Sequence, residues 1–249
     1  DLDSAIVLME QAFDKVKNLG KKSLYCWALS NLGDMYGHAN RIDDSYQAYL
    51  QVLQTDPGYY YALKSIAWIA FSHDKNTAEV KRIYRYLLKE THAPDLYLNL
   101  AEIADYEGND SEKDRNTKTF LQQVSQPKYG EMYNKYLVHQ YIDAKNEEAA
   151  LQIAQRETEN RPTPETFDLL AWTYLQQGNP TKALSIAETE IANRTFEPEA
   201  LYHLGMIYQA NNQTQKAEKY LEEALESEYE LGPVTAKAIR QALQKLWVR

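Results

Sequence analysis

A pattern that returns every 34 residues constrains this chain more than any other feature. From Pro164 it reads P-E-T-F-D-L-L-A-W-T-Y-L-Q-Q-G-N-P-T-K-A-L-S-I-A, and from Pro198 P-E-A-L-Y-H-L-G-M-I-Y-Q-A-N-N-Q-T-Q-K-A-E-K-Y-L. Leu170, Ala171, Tyr174, Gly178 and Ala183 return as Leu204, Gly205, Tyr208, Asn212 and Ala217, each 34 positions on. Leu170, Ala171 and Tyr174 fall on one stripe of a helix. Gly178-Asn179-Pro180 then stops that helix, because glycine suits a left-handed C-cap and proline cannot continue a helix interior. Asn179 or Thr181 can cap a second helix. Ala183 gives that helix a small residue where it crosses the first. A helix pair of this size cannot bury its apolar face alone and must stack on neighbours.

Period and residue pattern together resemble the tetratricopeptide repeat. The resemblance implies an all-α, right-handed superhelical solenoid of helix-turn-helix repeats, and it covers nearly the whole of residues 1–249 as a single array. A leading half repeat spans 1–20, with Ile6, Met9, Ala12, Phe13 and Val16 on one side of a helix. Six repeats follow, over 24–58, 59–94, 95–127, 128–162, 163–196 and 197–231. The stripe is carried by Leu32-Gly33, Ile66-Ala67, Leu100-Ala101 and Leu137-Val138 before the two clearest copies. Ser45 takes the usual small position of the first full repeat, and Val138 is larger than usual and should widen its helix separation. The polar run N-D-S-E-K-D-R-N after Gly108 reads as an extended loop or a frayed helix start. Gly232-Pro233 opens a capping helix over 233–248, with Lys237, Arg240, Gln241, Gln244 and Lys245 as a polar outer face. The opening half repeat suggests a piece of a longer protein.

Composition narrows the function. A net charge of −9 argues against nucleic acid, whose phosphates require a basic face, and against anionic membrane surfaces. The longest apolar run, Ile66–Phe71, is too short to span a bilayer. Cys26 is the only cysteine, so no internal disulfide forms, and it reads as a buried helix residue. The chain has no phosphate-binding glycine loop, no H-E-x-x-H and no G-x-S-x-G. The five histidines are scattered over four repeats without metal-ligand spacing. Asp110, Glu112 and Asp114 lack the spacing of a calcium loop. These patterns predict no enzyme activity, no cofactor and no metal. Three Asn-x-Ser/Thr sequons, at Asn109, Asn193 and Asn212, carry no claim of glycosylation.

In arrays of the resembled family the first helices of successive repeats line the inner groove. Mapped by repeat position, the groove residues here are Asn31, Asp34, Lys64, Trp68, Asn99, Glu102, Lys135, Tyr136, His139, Asp168, Trp172 and His203. Aromatics with charges of both signs between them suit peptide recognition. The carboxylate-clamping pattern of some family members is absent, and Asp34 and Glu102 would repel a carboxylate. The implied function is a monomeric, non-enzymatic scaffold that holds a protein or peptide partner, either an extended peptide or a partner helix. The alternatives are a structural spacer or oligomerisation arm, and a regulatory domain of a larger protein. A likeness of the segments from Arg161 and Glu197 to uncharacterised bacterial repeat proteins implies a bacterial origin and a periplasmic or envelope location, with the cytoplasm as the alternative.

Overall fold

The computed structural model describes residues 2–247; Asp1, Val248 and Arg249, where the expected array begins and ends, lie outside the described residues. All regular structure among the described residues is helical. The helices are α1 (Leu2–Val16), α2 (Lys22–His38), α3 (Ile42–Thr55), α4 (Tyr60–Ser72), α5 (Thr77–Thr91), α6 (Asp95–Tyr106) and α7 (Asp110–Val124). They continue with α8 (Asn134–Asp143), α9 (Glu147–Asn160), α10 (Pro164–Gln176), α11 (Pro180–Ile186), α12 (Pro198–Ala210), α13 (Thr214–Glu226) and α14 (Glu228–Trp247). The order is one leading helix, six pairs and one closing helix, as the 34-residue pattern predicts. The chain divides into two compact units. Unit 1 is Asp1–Lys113 with Glu228–Pro233, and unit 2 is Asp114–Ser227 with Val234–Arg249.

Two devices recur along the repeats. Each first helix ends in a residue with left-handed backbone: Asn40, Lys75, Gly108, Lys145, Gly178 and Asn212, all with φ between 56° and 73°. This conformation turns the chain sharply enough for the second helix to run back along the first. It also accounts for two of the sequon asparagines, since Asn193 and Asn212 both adopt positive φ, which asparagine tolerates better than most residues. The second device is the small residue at the crossing. A Cβ on Gly33 would lie 2.7 Å from the Tyr49 ring, and one on Gly205 would lie 2.6 Å from Leu221 Cγ. Ala67 and Ala171 are fully buried at the matching positions, and so is the larger Val138. Ser45 is also buried and donates its hydroxyl to the Gly33 carbonyl at 2.7 Å.

Gly205→Leu should overpack the α12–α13 crossing, because the added chain meets the Leu221 backbone nitrogen at 3.2 Å as well as its side chain. The expected cost is about 1–3 kcal/mol. Thermal melts of the two proteins measure it, and an unchanged midpoint would mean that Gly205 is not a crossing residue.

The polar run after Gly108 is helix, not loop. Asn109 Oδ1 accepts from the Glu112 backbone N–H at 3.1 Å and so caps α7. Lys113 pairs with Asp105 at 2.8 Å, and Lys81 with both Glu107 and Glu112. Charged side chains that read as solvated loop instead tie the helix start down. In α11 the last turn widens into a π-turn over Ala187–Ile191, which keeps Ala187 and Ile191 fully buried. Non-helical Gly232 (φ 75°, ψ 170°) divides α14 in two: the closing helix proper follows Gly232-Pro233, and the short helical turn before it belongs to unit 1.

Candidate functional site

In unit 1 the inner residues come from α2, α4 and α6, and they surround a piece of the chain itself. Glu228–Pro233 lies against them. The Tyr229 ring rests on Gly37, where a Cβ would stand 2.6 Å from its Cε1. The Trp68 indole N–H donates to the Tyr229 carbonyl at 2.9 Å. His38 Nδ1 pairs with Glu230 at 2.9 Å. Gly232 passes the Trp68 ring so closely that a Cβ would meet it at 2.9 Å, and its left-handed φ independently favours glycine.

Beside Tyr229 and Glu230 lies a cleft of about 290 Å³. Asp34, Lys64, Trp68 and Asn99 line it together with Tyr49, Tyr61 and Tyr84. Asp34 accepts hydrogen bonds from the Tyr49 hydroxyl at 2.6 Å and the Tyr61 hydroxyl at 2.8 Å. Burial, and then Asp34 itself, push both phenols up from their ordinary range, so they stay protonated donors. Lys64 is paired with Asp95. Asn31 is not among the lining residues; its amide donates to the Trp27 carbonyl on its own helix at 2.7 Å. Glu102 stands at the edge, where a Cβ on Gly232 would lie 3.2 Å from its Oε1. Burial first, and Asp105 second, push its carboxyl up to about 7. A carboxyl raised on folding is best tolerated in its neutral form, so Glu102 erodes stability as pH rises from its ordinary 4.5 through 7.

In unit 2 the inner residues of α8, α10 and α12 form one polar and aromatic cluster. His203 Nδ1 lies 2.8 Å from Asp168 Oδ2, and the two residues are only 3% and 6% exposed. Trp172 stacks on the His203 ring at 4.0 Å between centroids and 15° between planes. Tyr202 contacts both rings. Lys135 is ion-paired to Glu199, and His139 Nε2 lies 3.5 Å from the same carboxylate. Burial alone would lower the pKa of His203, but Asp168 and then Glu199 outweigh it and the net direction is up. His139 moves the other way, to about 4, because burial dominates. Burial would raise Glu199, yet His203, His139 and Lys135 hold it at about 2. Tyr136 stands 43% exposed on α8, its ring packed edge-on against Phe120.

Repeat position thus brings together Asp34, Lys64, Trp68 and Asn99 in one unit, and Lys135, His139, Asp168, Trp172 and His203 in the other. It does not reveal that Asp168 and His203 are buried partners, nor does it find Glu199 or the Tyr229 segment. Glu199 sits in the first turn of α12, where an acid looks like an ordinary helix-start residue. Among the described residues no cluster of three or more His, Cys, Asp or Glu could hold a metal ion. No helix among them is long and apolar enough to cross a membrane.

Paired antiparallel helices with a small crossing residue and a left-handed terminator define a helical-repeat protein. Residues 198–230 match the family model of the tetratricopeptide repeat, and the other helix pairs share that architecture. No curated protein matches the sequence. Solved structures share the fold at low identity. A tetratricopeptide repeat protein from Parabacteroides merdae aligns with a TM-score of 0.56 and 16% identity, over 100% of this chain and 93% of that one. The APC/C hetero-tetramer Cut9–Hcn1 aligns at 0.54 and 13%, over 96% of this chain and 45% of that one. PilW, a widely conserved type IV pilus biogenesis factor, aligns at 0.51 and 17%, over 80% and 91%.

Proposed function

We propose that the protein is a non-enzymatic scaffold that binds an extended polypeptide against the inner faces of its first helices. Tetratricopeptide repeats are typically protein-interaction modules, which supports the general class. The observation that carries the specific reading is the grip on Glu228–Pro233. An indole N–H captures a backbone carbonyl, and a glycine floor receives a tyrosine ring. Main-chain capture of this kind does not depend on the sequence held, while side-chain pockets add the choice. In unit 2, Trp172 and Tyr202 offer a second aromatic surface of the same sort, only partly buried.

A random peptide display selected on the whole chain tests this. Enriched peptides should lose about 2 kcal/mol of binding, roughly 30-fold, on Trp172→Ala, while circular dichroism still reports a folded protein. Enriched peptides that ignore substitutions on the first helices, but respond to those on the second, would overturn the reading.

A further inference from the structure

The geometry points to the unit 1 cleft as a receptor for one cationic side chain, an arginine or lysine of the bound polypeptide. This rests on the scaffold reading and adds to it the chemistry of the partner. The cleft, about 290 Å³, is at the lower edge of small-molecule sites and has room for one long side chain.

Its carboxylates, Asp34 and Glu230, stand among neutral groups, Ser65, Tyr84, Asn99 and Tyr229, that can both donate and accept. The Tyr49 and Tyr61 hydroxyls give their protons to Asp34, so each oxygen offers the cleft only lone pairs. Asp34 has about four acceptor sites and uses two of them on these hydroxyls. Glu230 spends one oxygen on His38. The one lysine in the lining, Lys64, is already neutralised by Asp95. The remaining field is negative, and the walls are aromatic. Trp68 and Tyr61 present ring surface of the kind that attracts a guanidinium or ammonium within about 6 Å of the ring centroid. Tyr61 is 53% exposed, so the cleft is open to solvent on its side. An incoming carboxylate would meet Asp34 and Glu230 with no unpaired lysine or arginine among the lining residues.

The Trp68 indole N–H, fixed to the Tyr229 carbonyl, gives a nuclear magnetic resonance signal at the cleft wall. The full chain is titrated with N-acetyl-arginine amide, N-acetyl-lysine amide, N-acetyl-glutamate amide and spermidine. The expected result is a saturable shift of that signal with the arginine or lysine amide and none with the glutamate amide. Asp34→Asn and Glu230→Gln, which keep the size and hydrogen-bonding reach of each side chain, should each weaken binding by about tenfold or more. The proposal is overturned if neither basic amide shifts the signal, if the glutamate amide shifts it equally, or if binding survives both substitutions. It is also overturned if spermidine alone binds, since the site would then serve a free polyamine. Failure here leaves the scaffold reading standing if displayed peptides still enrich. Conversely, amide binding without any enriched peptide leaves the cation site standing and removes the scaffold.

Discussion

Asp168→Ala should destabilise unit 2 by about 3–5 kcal/mol, the cost of removing one partner from a buried ion pair. His203 is 3% exposed and its Nδ1 is hydrogen-bonded to Asp168. Without that carboxylate the imidazolium must either stay charged in a desolvated site or give up its proton. Trp172, stacked on the same ring, would lose its platform. Asp168→Asn should cost less, because an amide oxygen still accepts from the ring N–H. The pH dependence carries a definite sign. A histidine whose pKa rises on folding contributes fully below its ordinary value of 6.5, and the contribution fades as pH rises through the folded value. The gap between native protein and Asp168→Ala should therefore be widest in mild acid and narrow toward alkaline pH. His139 acts oppositely, since its pKa falls to about 4 and its contribution fades as pH drops from 6.5 toward 4. Asp168 is the smallest of the influences that raise or lower its pKa, and losing that carboxylate pushes His139 lower still, which also widens the gap toward acid. Denaturant melts across pH, with hydrogen exchange at α10 and α12, measure the gap. A gap under about 1 kcal/mol or one that widens with pH would show that the pair is not holding His203 charged.

What the sequence discloses is whatever repeats. Gly33, Ala171 and Gly205 stand out because a crossing needs a small residue at a fixed phase, and composition shows small residues directly. Gly108 and Gly178 stand out as helix terminators for the same reason. Lys75 and Lys145 take the same left-handed backbone but remain hidden, because nothing about lysine favours it and the neighbouring helices impose it. The site is legible as a face and illegible in depth. Repeat position says that Asp168 and His203 lie on first helices one repeat apart, and residues about 34 apart on such helices are neighbours in space. It does not say that the pair closes on itself under Trp172. The Glu228–Pro233 segment follows no period, and its partners Gly37, His38 and Trp68 lie more than 150 positions away in sequence. No local signal predicts that contact, although a left-handed glycine before a proline marks the place where the chain turns.

Tyr49 and Gly33 should show opposite signs depending on which changes first. Tyr49 is 1% exposed and its ring fills the crossing of α2 and α3. Tyr49→Ala empties that space and should cost about 3–5 kcal/mol, as for other large aromatic truncations. It also removes one of the two phenol donors to Asp34. Gly33→Ala alone is expected to cost about 1–3 kcal/mol, because its Cβ would come within 2.7 Å of Cε1 and 2.8 Å of Cζ on a ring with nowhere to go. Alanine's better helix propensity, about 1 kcal/mol, offsets only part of that. In the Tyr49→Ala background the clash is gone, the added methyl occupies vacated space, and the propensity gain remains. The same Gly33→Ala should then stabilise the protein. The double-mutant cycle should return a coupling of about 2 kcal/mol or more between the two positions. Additive effects would mean that the ring does not bear on Gly33, and that the small residue of the first full repeat is kept for some reason other than the helix crossing.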